Sequence, residues 1–119
     1  MKVLCFGSLN IDYTYRVSHF VRQGETLAAE SLQVFSGGKG LNQAVALARA
    51  GAETWMAGAV GEDGRFLLEE LAAAGVRTDH VCVLQQERTG NAIIQNDRAG
   101  DNCILLYGGA NRAVTEAQV

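Results

Sequence analysis

Apolar residues in this chain come in short runs, and the spacing between them changes along its length. Val3-Leu4-Cys5-Phe6 is a continuous apolar run bounded by Gly7-Ser8, which predicts a buried strand over residues 2–6. Tyr13, Tyr15 and Val17 alternate with polar residues and predict a second strand over 13–17. Residues 21–26 read as a polar connection, and Leu32 and Val34 mark a short third strand that runs into Ser36-Gly37-Gly38. The period then becomes helical. Leu41, Val45 and Ala48 share one face of a helix over 41–50, which Gly51 ends. Residues 54–60 read as a buried strand. The next helix, over 64–74, takes Asp63 as its N-cap, with Leu67, Leu68, Leu71 and Ala74 on its apolar face and Glu69 and Glu70 toward water; Gly75 ends it. Strands follow over 81–84, 91–95 and 102–107, the last two joined by a hairpin turn over 97–101.

Strand, helix, strand, helix, strand is the order of a parallel sheet with crossover helices. The strands around Tyr13 and Val34 stand outside that order and read as a small antiparallel ribbon set between the first strand and the first helix. The chain thus reads as one domain with a β excursion. Thr115 and Gln118 have the spacing of a capping box, so a helix is expected to start where the sequence ends. A helix that short is not stable alone, and the sequence is expected to be the front part of a longer protein.

Composition narrows the function classes. With 119 residues, 48% of them apolar, the chain suits one modest domain with a real core. The net charge of -3 and the absence of lysine or arginine runs argue against a nucleic-acid partner. No apolar run approaches the roughly 18 residues of a membrane span, and the first run is too short for a signal peptide. Cys5, Cys82 and Cys103 are far apart in apolar, strand-like runs, which reads as buried reduced thiols in a cytoplasmic protein. His19 and His80 add no metal-ligand spacing. The absence of proline has no functional explanation in the sequence.

Candidate chemistry gathers at Gly37-Gly38-Lys39-Gly40-Leu41-Asn42-Gln43-Ala44. Glycines allow close approach of a ligand to the backbone, a helix start offers free N–H groups, and lysine adds a charged donor. The plain alternative is a glycine turn before an ordinary helix. A second segment, Gly7-Ser8-Leu9-Asn10-Ile11-Asp12, is expected where the first strand ends, so that both segments face one cleft. Asn10 and Asn42 each donate and accept, Asp12 accepts, and Lys39 donates. That inventory suits a polyhydroxylated ligand. It does not suit a nucleotide P-loop, whose spacing and Ser/Thr after lysine are missing. Other polar residues have plainer readings: Glu62 and Asp63 at a helix N-terminus, Asp97 and Asp101 in a turn, Arg49, Arg65 and Arg77 on solvated faces, His19 on the surface, and Trp55 in the core.

Gly7-Ser8-Leu9-Asn10-Ile11-Asp12, Gly24-Glu25-Thr26, Gly37 to Ala44, Gly61-Glu62-Asp63-Gly64, Thr89-Gly90 and Gly109-Ala110-Asn111 occur in an order that resembles the ribokinase-like (PfkB) carbohydrate kinase family across essentially the whole chain. The resemblance implies a Rossmann-like α/β/α sandwich with a β-sheet lid, here the ribbon over 13–36, which closes the sugar site and serves as a homodimer surface. It implies phosphoryl transfer from ATP to a sugar hydroxyl, with Mg²⁺ and often K⁺. Matched residue by residue, Asn10, Ile11 and Asp12 form one sugar-binding segment, and Gly38, Lys39, Gly40, Leu41 and Asn42 a second. Ala92 and Ile94 line the apolar side of the pocket. The family's general base lies in a later Gly-Ala-Gly-Asp segment that this sequence lacks, as it lacks the nucleotide and cation sites. No catalytic residue is therefore expected here, and the isolated chain is expected to be inactive. Ribose is the favoured sugar, with fructose, nucleosides and other furanoses as alternatives, and a non-catalytic sugar-binding or dimerising fragment as the reading from another class.

Overall fold

The computed structural model describes residues 1–116. In chain order it contains β1 (Lys2–Phe6), β2 (Asn10–Arg16), β3 (Ser31–Gly37), α1 (Lys39–Arg49), β4 (Glu53–Gly61), α2 (Arg65–Ala73), β5 (Arg77–Leu84), β6 (Gly90–Asn96) and β7 (Asn102–Tyr107). Short 3₁₀ turns lie at Glu62–Gly64 and Gly109–Arg112. The capping-box position Gln118, and with it the helix expected there, lies outside the described residues.

The strands form two sheets. One is parallel, in the order β1-β4-β5, and the other is mixed, in the order β3-β2-β6-β7. The parallel sheet follows from its two crossovers: β1 reaches β4 through β2, β3 and α1, and β4 reaches β5 through α2, both stepping in the same direction. Crossovers of one hand that step the same way lay their helices on the same face. Leu41 and Ala44 of α1 and Leu67 and Leu71 of α2 accordingly share one core with Cys5, Met56 and Val60 of the sheet. The opposite face of β1 leaves Leu4 and Phe6 more than half exposed. The described residues thus supply one helix layer and the sheet of the expected three-layer sandwich. Burial pushes the Cys5 thiol up, as befits an unreactive core cysteine.

Three sequence readings change. First, the lid is larger than the ribbon over 13–36. β2 pairs antiparallel with β3 and parallel with β6, so the β6–β7 hairpin joins the lid as its second half. Strand pairing at this sequence separation leaves no local trace in either segment. Second, Asp63 does not cap α2. Gly64 occupies the N-cap without a side-chain bond, and the Asp63 carboxylate instead accepts hydrogen bonds from Thr89 N (3.0 Å) and Thr89 Oγ1 (2.7 Å). Glu62 pairs with Arg65 and Gln85, and the Arg65 hydrogen bond holds its carboxyl below the usual range. Third, burial is not common to the cysteines: Cys5 is buried, Cys82 is half-buried, and Cys103 is exposed on the edge strand β7.

Trp55 is half-buried, and the Arg77 guanidinium sits 5.0 Å from its ring centroid while pairing with Glu53. Thr89 ties the two sheets together. It is fully buried, and its Oγ1 accepts from Gly61 N at 2.9 Å while donating to Asp63. Thr89→Val keeps the shape but orphans the buried Gly61 N–H. It is expected to cost about 1–3 kcal/mol, read as a lowered urea midpoint.

Candidate functional site

The site begins where the chain leaves the parallel sheet. Gly7 N donates to Ala57 O at 3.2 Å, closing the last rung beside β4. Leu9 then plunges fully into the core, and Asn10 starts β2. Asn10 and Asp12 therefore lie at the start of β2, an inner strand of the lid, where the sequence reading began that strand only at Tyr13. Leu9 and Ile11 are both fully buried, and these alternating anchors on either side of Asn10 draw the segment into extended strand.

Register brings the candidate residues together. Asn10 faces Gly37 on β3 and Gly90 on β6, and Asp12 faces Phe35 and Ala92. Thr14 faces Ile94. Side chains directly opposite share a face of the sheet, so Asn10, Asp12, Ala92 and Ile94 line one side of the lid. Ile11 alternates to the other side, where it belongs to the core. A Cβ added at Gly37 would overlap the Asp12 carboxylate. The missing side chain is thus what lets Asp12 stand against the third strand. Burial pushes the Asp12 carboxyl above the ordinary aspartate range.

The glycine segment packs backbone against backbone on the β1–β2 connection. Gly38 has φ 98°, and a Cβ there would approach Ser8 O to 2.7 Å and Asn10 N to 3.1 Å. A Cβ on Gly40 would meet the Gly7 carbonyl carbon at 2.6 Å and Ser8 N at 2.7 Å. Asn42 N makes the first intrahelical bond to Gly38 O at 3.0 Å, and Leu41 N donates to Ser8 O at 3.0 Å, so one of the N-terminal N–H groups that α1 itself leaves unpaired is already used. Leu41 is buried in the core. Lys39 is exposed on the first turn, with no ion pair among the described residues. Asn42 borders a groove of about 540 Å³ between α1 and α2, with Leu41, Val45, Arg49 and Glu70; neither Asn10 nor Asp12 lines it.

One residue that supports the site had no role assigned from the sequence, and a second polar pair lies apart from it. Asn111 accepts from Leu9 N (2.9 Å) and donates to Leu9 O (3.1 Å) and to Asn10 Oδ1 (2.7 Å). Its motif, Gly109-Ala110-Asn111, was visible, but its partners lie about a hundred positions earlier. In the loop before β3, His19 Nε2 meets Glu25 Oε2 at 2.8 Å, and this hydrogen bond, with one from Arg22 N, holds the Glu25 carboxyl below its usual range. Among the described residues no group of three or more His, Cys, Asp or Glu could hold a metal ion, and no helix is long and apolar enough to cross a membrane.

Chemically, the lid face combines an amide, a carboxylate and small or apolar neighbours beside a tightly packed helix start. It can hold a small ligand that presents hydroxyls on one side and carbon on the other.

The chain is 40% identical to ribokinase of Haemophilus influenzae over 115 residues, covering 95% of this chain and 38% of that protein. It is 41% identical to ribokinase of Bacillus subtilis over 120 residues, covering 98% of this chain and 41% of that protein. Among solved structures, ribokinase of Arabidopsis thaliana complexed with ribose and ATP matches with a TM-score of 0.87 at 36% identity, over 95% of this chain and 38% of that one. Ribokinase of Cryptococcus neoformans in complex with ADP matches with a TM-score of 0.86 at 45% identity, over 92% and 35%. The chain thus spans well under half the length of the relatives it matches. The fold is that of these ribokinases, and the pfkB family carbohydrate kinase model matches residues 1–119 from end to end, so the chain belongs to the pfkB family of carbohydrate kinases.

Proposed function

We propose that the protein carrying this chain is an ATP-dependent sugar kinase that phosphorylates a hydroxyl of ribose, and that this chain is the N-terminal part of its ribokinase-like domain. The observation that carries the reading is the shared lid face of Asn10 and Asp12, opposite Gly37 and beside Ala92, in a chain whose relatives of 40% and 41% identity are ribokinases. Asp12 accepts hydrogen bonds from sugar hydroxyls, and Asn10 gives a second polar contact. Ala92 and Ile94 meet the carbon side of the sugar. Gly38 and Gly40 allow the backbone of the second segment to come close, with Lys39 and Asn42 adding donors as the lid shuts. Ile11 and Leu41 serve from beneath, as core anchors for their neighbours.

The chain's own part in the reaction is to bind, orient and shield the acceptor. ATP would supply the phosphoryl group and Mg²⁺, with K⁺ as a stimulating ion, would assist. Among the described residues no group of three or more His, Cys, Asp or Glu could hold a metal ion. A cytoplasmic location agrees with three free cysteines.

The test is ADP release by the protein carrying this chain, with ribose, fructose and a nucleoside each offered with ATP and Mg²⁺. Ribose-dependent turnover is expected; ribose-independent ADP release only, or none, overturns the reading. The 119-residue chain alone is expected to give no turnover above background.

The lid also supports a homodimer. On β7, Leu105 and Leu106 are 70% and 68% exposed, and Leu32, Val34 and Phe35 of β3 are about half exposed. An exposed apolar edge of this kind suits a second copy. Leu105→Asp is expected to shift the mass measured by light scattering from dimer to monomer.

A further inference from the structure

We infer that Asn111 is a positioning residue that locks the Asn10 side-chain amide with its NH₂ group toward the ligand, making Asn10 a donor in the site. The inference deepens the sugar-binding reading and rests on it for the identity of the ligand.

The backbone groups that Asn111 meets have a hydrogen-bonding sense that cannot be reversed. A backbone N–H only donates and a backbone carbonyl only accepts. Leu9 N lies 2.9 Å from one terminal atom of Asn111 and Leu9 O lies 3.1 Å from the other. The atom facing Leu9 N must therefore be the oxygen, and the atom facing Leu9 O must be the nitrogen. That nitrogen also lies 2.7 Å from the side chain of Asn10. Since Asn111 Nδ2 can only donate, the Asn10 atom opposite it must be Oδ1. The Asn10 nitrogen then points the other way.

The pair is given room by Gly90, the β6 partner of Asn10, where a Cβ would overlap both the Asn111 amide nitrogen and Asn10 Oδ1. Asn10 thus has its oxygen turned to Asn111 and, among the described residues, no hydrogen-bond partner on its two N–H donors, whereas Asp12, two residues along the same face, offers acceptors. A ligand matching this face must accept from Asn10 and donate to Asp12. Hydroxyl groups do both, so neighbouring hydroxyls on a sugar ring fit, whereas a group that only donates would be rejected at Asn10. The specificity arises in the 3₁₀ turn Gly109–Arg112, which need not touch the ligand itself.

The experiment uses the protein carrying this chain as wild type, N111D, N10A and the N10A/N111D double variant, titrated calorimetrically with D-ribose. The introduced carboxylate cannot donate to Asn10 Oδ1, so the Asn10 amide turns over. N111D is expected to weaken ribose binding about tenfold, and by less than about twofold in the N10A background, because Asn111 acts through Asn10. An unchanged affinity in N111D, or the same fold-loss in both backgrounds, overturns the inference. Side-chain amide NMR of the ligand-free wild type supplies a readout that needs neither ribose nor a folded variant. Asn111 NH₂ protons are expected to be protected from solvent exchange and those of Asn10 to exchange fast; the reverse pattern overturns the inference. A wild type that binds no ribose but keeps that exchange pattern defeats the sugar reading and leaves the amide lock standing.

Discussion

Asp12→Asn is expected to weaken ribose binding by about 100-fold or more while leaving the melting temperature of the ligand-free protein unchanged or higher. The loss follows from the carboxylate's proposed role as acceptor for sugar hydroxyls: hydrogen bonds to a charged group are worth about 1.5–3 kcal/mol each, and two of them reach that factor. An asparagine keeps the volume that the bare Gly37 backbone allows but replaces one acceptor by a donor. The absence of a stability cost follows from the direction of the pKa shift. Burial raises the folded-state pKa of Asp12 above its unfolded value. Between those two values the folded state holds the extra proton, so this group's contribution to stability is fully present below the unfolded pKa and is lost as pH rises through the folded pKa. A permanently neutral side chain avoids that loss, and any gain in melting temperature should vanish in acid. Ribose affinity of the wild type runs the other way. It should fall as pH drops through the raised Asp12 pKa, at a higher pH than an ordinary aspartate would cause. Calorimetric titration across pH, with thermal melts of both proteins, checks both signs. An Asp12→Asn protein that binds ribose within about threefold of wild type would remove Asp12 from the site.

Gly40→Val should be the most damaging single change to the fold. Its Cβ would sit 2.6 Å from the Gly7 carbonyl carbon and 2.7 Å from Ser8 N, both backbone atoms that cannot rotate away. Relief requires α1 to lift from the β1–β2 connection, breaking the 3.0 Å hydrogen bond from Leu41 N to Ser8 O and withdrawing the 3% exposed Leu41 from the core. Overpacking costs about 1–3 kcal/mol where side chains yield, and more where only backbone is present; about 3 kcal/mol or more is expected here. Urea unfolding checks it, and a midpoint within error of wild type would show that the contact is dispensable.

These two positions illustrate how differently sequence and structure contribute. The Gly-rich segment before α1 was legible because glycine spacing and the helical period of Leu41, Val45 and Ala48 are local signals. What the glycines do was not: Gly40 answers to Gly7, Gly37 to Asp12, and Gly90 to Asn10 and Asn111. Asp63 misled for the same reason. Its position before an apolar helical run is the pattern of an N-cap, and the competing partner, Thr89, lies 26 residues away. The lid was half seen, because β2 and β3 are near in sequence whereas β6 reaches β2 only through a parallel pairing that no turn motif announces.

From the order of residues alone followed the strand and helix sequence, the glycine-rich helix start, the two segments proposed to face the sugar and the family resemblance, all of which rest on periods and motifs a few residues long. The folded chain was needed to set Asn10 and Asp12 on a strand, to add β6 and β7 to the lid, to turn Asp63 from a cap into a bridge, and to bring Asn111 onto Asn10. Each of those depends on groups brought within about 3 Å across long stretches of chain, where hydrogen-bond direction and backbone clearance, and no local pattern, decide which residues meet.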